Sequence, residues 1–321
     1  MKTIFVSPAR LAVAHGLRAS AVVTVLGLCA CRPEAPEQTV ASTQGEVVYG
    51  NDDRTEYGSF ASTDPVRRLA DSTALLTEPA GISCSGGTCT IPPEDLNLCP
   101  GQKFAGQPAA LHMHCTVFLV GPDLFATAGH CIDSTLCSSR KVVFGFRVVN
   151  GSVISQVPDS NVYSCTSVVQ SSSDPDFALF KVDRPVAGLR PLWVRYSGTI
   201  GNTQALTLIG HPDGLPLKID RGGTVKGINT LPTKFFANTD SFVGNSGSPI
   251  FNSQTGVVEG ILVAGNSDYS QTQPCLIVHT CSDTSGCPDD DPSFETVTRI
   301  MAATPKIPFH PAGIYVAAAL L

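Results

Sequence analysis

Short apolar runs interrupted by glycine, proline and polar turns dominate the chain after Cys99. The clearest is residues 118–128, where Gly121-Pro122-Asp123 separates two apolar runs and predicts a hairpin. Further strands are predicted at 142–149, 177–182, 205–209, 222–228, 249–251 and 257–263. Short strands with turns between them, and no helical period alternating with them, predict an all-β protein built of antiparallel barrels or a sandwich. One helix is predicted, at 294–303.

The first part of the chain reads differently. Lys2, Arg10 and Arg18 precede an apolar stretch from 19 to 30 that is too short to span a bilayer and suits an export signal over residues 1–31. Leu28-Cys29-Ala30-Cys31 also resembles a bacterial lipoprotein box, which makes Cys31 the candidate lipidation site. Cys29 is the overlapping alternative, and a plain signal peptide remains open. Localisation is thus exported, either lipid-anchored at the cell envelope or secreted. Residues 32–46 are polar and rich in Pro, Glu and Thr, as a flexible spacer would be. Residues 47–98 show no core of their own and read as an extension packed on a domain at 99–303, with a tail at 304–321.

Composition narrows the function classes. The net charge of −6 comes with no basic cluster, which argues against a nucleic-acid partner. Of the 12 cysteines, setting aside Cys29 and Cys31 leaves ten, an even number that reads as disulfides in an exported chain. Metal ligation is not expected, because neither close CxxC pairs nor HExxH is present.

The candidate chemistry centres on Gly244-Asn245-Ser246-Gly247-Ser248-Pro249. A serine hydroxyl needs a base to become a nucleophile, and acyl transfer needs donors for the oxyanion that forms. The glycines around Ser246 allow a turn that aims the amides of Gly244 and Ser246 at one oxygen. Taken alone, the segment could also be a tight turn. Its partner is Thr127-Ala128-Gly129-His130-Cys131, where His130 follows an apolar run and ends in small residues. Cys115 and Cys131 are spaced so that a bridge could close the hairpin beneath the histidine. Cys84 with Cys89 and Cys137 with Cys165 are further plausible pairs. GxSxG is absent around Ser246, against an esterase.

These two motifs together resemble the chymotrypsin/trypsin-like serine peptidase superfamily, and Asn245 before the serine resembles the bacterial glutamyl-endopeptidase-like branch. Val48-Tyr-Gly-Asn-Asp-Asp-Arg54 and Phe118-Leu-Val-Gly-Pro-Asp123 are similar to bacterial members as well. The resemblance implies two antiparallel six-stranded β-barrels, one over about 99–190 and one over about 191–303, with the site in the cleft between them. It implies a triad of Ser246 as nucleophile, His130 as general base and Asp176, ahead of Phe177-Ala-Leu-Phe180, as the residue orienting the histidine. Asp174 is the alternative acid. It implies a serine endopeptidase working on protein or peptide substrates through an acyl-enzyme, with no cofactor and no metal. The alternative is an inactive surface lipoprotein using the same scaffold to bind a protein.

Departures from the family refine the expectation. Asn245 replaces the aspartate that pairs with a new N-terminus in trypsin. Leu262 stands where glutamyl-specific members carry a histidine, so the substrate pocket is expected to be apolar there. Asp240, six residues before Ser246, stands at the spacing of the trypsin pocket acid and would favour Arg or Lys. An equally weighted reading makes Asp240 a loop-closing residue. His211, between glycine and proline, could line the cleft or serve a turn. Oligomeric state is not read from the sequence.

Overall fold

The computed structural model describes residues 47–228, 232–270, 274–287 and 293–309, apart from the side chains of Met113 and His114. The leader, Cys29, Cys31 and the spacer up to residue 46 lie outside the described residues. Among those residues no helix is long and apolar enough to cross a membrane.

The architecture is all-β, in two halves. Strands Lys141–Val143, Val162–Ser173, Asp176–Val182, Leu124–Thr127, Met113–Leu119 and Thr73–Thr77 pair in that order and close into a barrel. The hairpin expected at 118–128 is present, with Phe118 opposite Ala126 and Leu119 opposite Phe125. Val117, Phe118, Phe125, Leu179 and Phe180 of its strands are fully buried in one apolar cluster. The second half is an open, curled sheet of eight strands, in the order Val225–Gly227, Lys234–Ala237, Glu295–Arg299, Val258–Ala264, Pro249–Asn252, Leu206–Gly210, Lys218–Asp220 and Arg54–Glu56. Ile209, Phe251, Val258 and Ile261 of this sheet join the same apolar cluster as the barrel, while Leu206, Leu208, Val225, Phe235 and Val297 form a second core within the sheet.

Two expectations are corrected here. The segment at 47–98 is more than an extension lying on finished barrels: Thr73–Thr77 is a stave of the first barrel and Arg54–Glu56 edges the second sheet. A sheet edge left open exposes unpaired backbone N–H and C=O groups; Thr73–Thr77 removes that edge from the barrel, and Arg54–Glu56 covers the Lys218–Asp220 strand and becomes the edge itself. The helix expected at 294–303 is instead a strand, Glu295–Arg299, followed by a single 3-10 turn, Ile300–Ala302. Thr296, Val297 and Thr298 are β-branched, and the strand is paired on both sides, by Lys234–Ala237 and Val258–Ala264. Stiff branched side chains with both edges satisfied favour sheet over helix.

The α-helix found among the described residues is Pro65–Asp71. Asp64 caps it by accepting from the Val66 amide at 2.9 Å, and Pro65 occupies the first turn, where its missing N–H costs nothing. Among the described residues five disulfides are formed. Cys115–Cys131, Cys84–Cys89 and Cys137–Cys165 match the expected pairs, while Cys99–Cys275 and Cys281–Cys287 are added by the structure.

Candidate active site

The barrel register brings the histidine and its acid together. Strand Asp176–Val182 runs antiparallel to Leu124–Thr127 with Ala178 opposite Thr127, so Asp176 at its start faces the turn that follows Thr127. That turn is the 3-10 segment Gly129–Cys131. The Asp176 carboxylate contacts His130 twice: Oδ2 lies 2.6 Å from ring Nδ1, and Oδ1 accepts from the His130 amide at 3.1 Å. With Nδ1 held by the carboxylate, Nε2 is left to accept a proton. Only glycine fits at 129, because a Cβ there would fall 2.1 Å from the Ser172 carbonyl oxygen and 2.8 Å from Asp176 Oδ1. Asp174, the alternative acid, is solvent-exposed and pairs with Lys234 at 3.0 Å.

The serine is positioned from the second half. Gly244 and Gly247 flank it with φ of 97° and 88°, a region open to glycine at little cost. The loop is closed by Asn245 N–H to Phe242 O at 2.9 Å and Ser248 N–H to Asn245 O at 2.8 Å. It is fixed to the following strand by Gly247 N–H to Leu262 O at 2.7 Å and Leu262 N–H to Ser248 O at 3.0 Å. Among the described residues, the amides of Gly244 and Ser246 donate to no protein acceptor, as expected for donors kept for a ligand oxygen.

Thr116 joins the two halves at this point. Its amide donates to the Ser246 carbonyl at 2.9 Å, its hydroxyl donates to the Gly244 carbonyl at 2.9 Å, and the same hydroxyl accepts from the His211 amide at 3.0 Å. The Thr116 carbonyl accepts from Thr127 Oγ1 at 2.8 Å. Adjacent Cys115 is bridged to Cys131, whose Sγ lies 3.7 Å from the Ser246 carbonyl oxygen. His130 and Ser246 are thereby held across a single disulfide and a single threonine. No sequence motif singled out Thr116, which follows Cys115 in an ordinary strand.

The remaining expected residues fall elsewhere. Leu262 is fully buried with Leu206, Leu208, Val225, Phe235 and Val297 in the core of the second sheet. Its side chain therefore does not line a substrate pocket, and it serves the site through its backbone. Asp240 is buried, and its two oxygens accept from the amides of Tyr49 at 2.8 Å and Asp53 at 2.6 Å. Its own amide donates to Asp220 Oδ2 at 3.0 Å. Burial pushes the carboxyls of Asp240 and Asp220 well above the usual range, with the Asp220 charge adding to the rise at Asp240 and the Asp53 charge to the rise at Asp220. His211 is also buried: Nδ1 faces the Leu215 carbonyl at 3.1 Å and its ring stacks on Phe146, so it stands in a turn rather than the cleft.

A family model described as a trypsin-like peptidase domain matches residues 115–261. Similar solved structures include a Glu endopeptidase in complex with MPD, at 18% identity over 81% of this chain and 97% of that one, with a TM-score of 0.48. The VesB protease of Vibrio cholerae aligns at 14% identity over 79% of this chain and 65% of its own, with a TM-score of 0.47. A serine endoprotease from Yersinia pestis aligns at 14% identity over 75% and 62%, with a TM-score of 0.44. A search of curated sequences gave no match.

Proposed function

Because the chain belongs to the chymotrypsin/trypsin-like serine peptidase superfamily, we propose that it is an exported serine endopeptidase in which Ser246, His130 and Asp176 form the triad. The observation that carries this reading is the double contact of Asp176 with His130, through the ring at 2.6 Å and the amide at 3.1 Å. A carboxylate fixed at two points sets both the tautomer and the tilt of the imidazole.

In the reaction, His130 Nε2 takes the Ser246 Oγ proton as the hydroxyl attacks the scissile carbonyl. The Asp176 carboxylate stabilises the imidazolium. The free amides of Gly244 and Ser246 receive the oxyanion, each such donor typically contributing a factor of about 10²–10³. His130 then protonates the leaving amine, and the acyl-enzyme is hydrolysed by water that the same histidine activates. The substrates are proteins or peptides. Export rests on the charged and apolar leader at 1–31, with Cys31 the proposed lipid anchor in a membrane-attached form. The five disulfides support an oxidising compartment.

A serine-reactive fluorophosphonate tests the assignment. Labelling of the oxidised protein and hydrolysis of a denatured protein substrate should both be lost in Ser246→Ala. Failure to label folded, oxidised wild type would refute the peptidase reading and leave the scaffold as a protein-binding module.

A further inference from the structure

The segment 48–54, which the proposed chemistry leaves unused, ends on a cation enclosed by the fold. Arg54 opens the strand that edges the second sheet, with Asp220 opposite it in the ladder. Its side chain is 1% exposed and is one of the largest that the fold buries completely. A guanidinium taken out of water needs acceptors or aromatic faces in exchange. One edge is met by Asp52, whose carboxylate accepts from Nε at 2.9 Å and from Nη2. The face is met by a ring, because the guanidinium carbon lies 3.8 Å from the centroid of Phe242; Phe104 lies further off, at 5.5 Å. Among the described residues Nη1 has no hydrogen-bond partner, so the close contacts of this cation are one carboxylate and one aromatic face.

Phe242 connects the cation to the nucleophile loop. Its ring is fully buried and also packs on Tyr269, with 5.2 Å between centroids. Its carbonyl accepts the Asn245 amide at 2.9 Å, the bond that closes the turn immediately before Ser246. Arg54 and Asn245 also line one narrow interior space, shared with Gly210, Asp220 and Asp240. Asn245 stands where trypsin has the aspartate that pairs with a new N-terminus, and a neutral amide forms no such ion pair. Here a cation supplied from the N-terminal segment bears on the loop through an aromatic ring instead. A tilt of Phe242 would move its carbonyl, and with it the turn that carries the Gly244 and Ser246 amides. Donors aimed at a developing oxyanion lose much of their effect when displaced by about 1 Å.

We propose that Arg54 is a positioning residue for the catalytic step: stacked on Phe242, it fixes the turn that presents the Gly244 and Ser246 amides to the oxyanion. This rests on the serine-peptidase reading above. Arg54 touches neither substrate nor the reacting atoms. Its loss leaves the cleft in place but loosens the donors, so the effect falls on the transition state rather than on substrate binding.

The test uses the full-length, oxidised protein, with two readouts: the rate of fluorophosphonate labelling, and kcat and KM for fluorescein-labelled denatured casein. Arg54→Met keeps an apolar stem without the charge. It should lower the labelling rate and kcat by roughly 10–100-fold, with KM changed less than about threefold. Arg54→Lys keeps a cation and should retain several-fold more of both rates than Arg54→Met. Because a buried substitution can impair folding, the ring is tested separately. Phe242→Leu should slow labelling to a similar extent with Arg54 intact, and adding Arg54→Lys to it should cause no further loss. Labelling and kcat within twofold of wild type in folded Arg54→Met, equal losses in the Met and Lys variants, or a raised KM with kcat unchanged would overturn the Arg54 assignment. Losses that multiply in the Arg54→Lys/Phe242→Leu double variant would overturn it as well, and they decide the matter where Arg54→Met does not fold. Absence of labelling in folded wild type would instead overturn the peptidase reading beneath it.

Discussion

Acid should destabilise this protein through His211, a histidine that the proposed chemistry does not use. Its ring is fully enclosed, stacked on Phe146, with Nδ1 directed at the Leu215 carbonyl. In the neutral form Nδ1–H donates to that carbonyl. Burial pushes its pKa down to about 3 from an ordinary 6.5, with the nearby Lys218 charge acting in the same direction. A depressed pKa in the folded state means that the unfolded chain binds the proton first. The stabilisation is complete above pH 6.5 and is lost as the pH falls toward 3. At about 1.4 kcal/mol per pH unit, the window is worth on the order of 5 kcal/mol, a large share of a typical stability.

Asp220 and Asp240 act in the opposite sense. Their pKa values are raised by burial, so they favour the folded state below the ordinary carboxylate range and lose that contribution as the pH rises through their folded values. Over the same acidic window they therefore offset His211, and a single stability curve would hide both. The informative quantity is a difference. Urea unfolding of Ser246→Ala, a background that removes self-digestion, is compared with Ser246→Ala/His211→Asn from pH 3 to 8. The difference should shrink steadily as the pH falls, because asparagine neither titrates nor suffers protonation. A difference constant to within about 1 kcal/mol across that range would refute the account of His211 as a buried neutral ring.

Two further perturbations probe how the halves are joined. Thr116→Val keeps the volume but removes the hydroxyl that donates to Gly244 O and accepts from His211 N. It should destabilise by about 1–3 kcal/mol and lower kcat more than it raises KM; unchanged kcat would separate Thr116 from the nucleophile loop. Replacing both Cys115 and Cys131 by alanine releases a bridge spanning 16 residues. This should cost about 3 kcal/mol in the chain-entropy model, measured by denaturant midpoint, and a loss below about 1 kcal/mol would show that the surrounding barrel already fixes the turn.

Much of the first barrel was legible in the sequence because its signals are local. Gly121-Pro122-Asp123 between two apolar runs can do little but turn, and Phe118 does face Ala126 across the hairpin. His130 and Asp176 are read by motif, and the register of two neighbouring strands then brings them into contact. What escaped the sequence depends on distant partners. The stretch from Glu295 to Arg299 has no strand alternation, with four of its five residues buried, since neighbours cover both its edges and most of both faces. Leu262 occupies a family pocket position, but the course of its strand directs the side chain into the second core. The helix at Pro65–Asp71 had local signals, Asp64 as cap and Pro65 at the first position, in a segment whose seven residues give too short a period to stand out.

The acids of the second sheet show why spacing alone could not assign a pocket residue. Asp240 has the right separation from Ser246, but whether a carboxylate is available depends on what else solvates it. For Asp240 the solvating groups are amides of Tyr49 and Asp53, supplied from about 190 residues away in the chain. The strand Arg54–Glu56 that follows them is held in register against Lys218–Asp220, which fixes those amides in place. Glu295 receives the Tyr49 hydroxyl and the Val47 amide from the same segment, and the neighbouring Ser241 side chain completes its contacts. The N-terminal segment thus solvates both buried carboxylates, giving Asp240 two backbone amides and Glu295 one amide and one hydroxyl. The fold of the second half consequently depends on residues 47–56 as well as on the strands that carry the nucleophile loop.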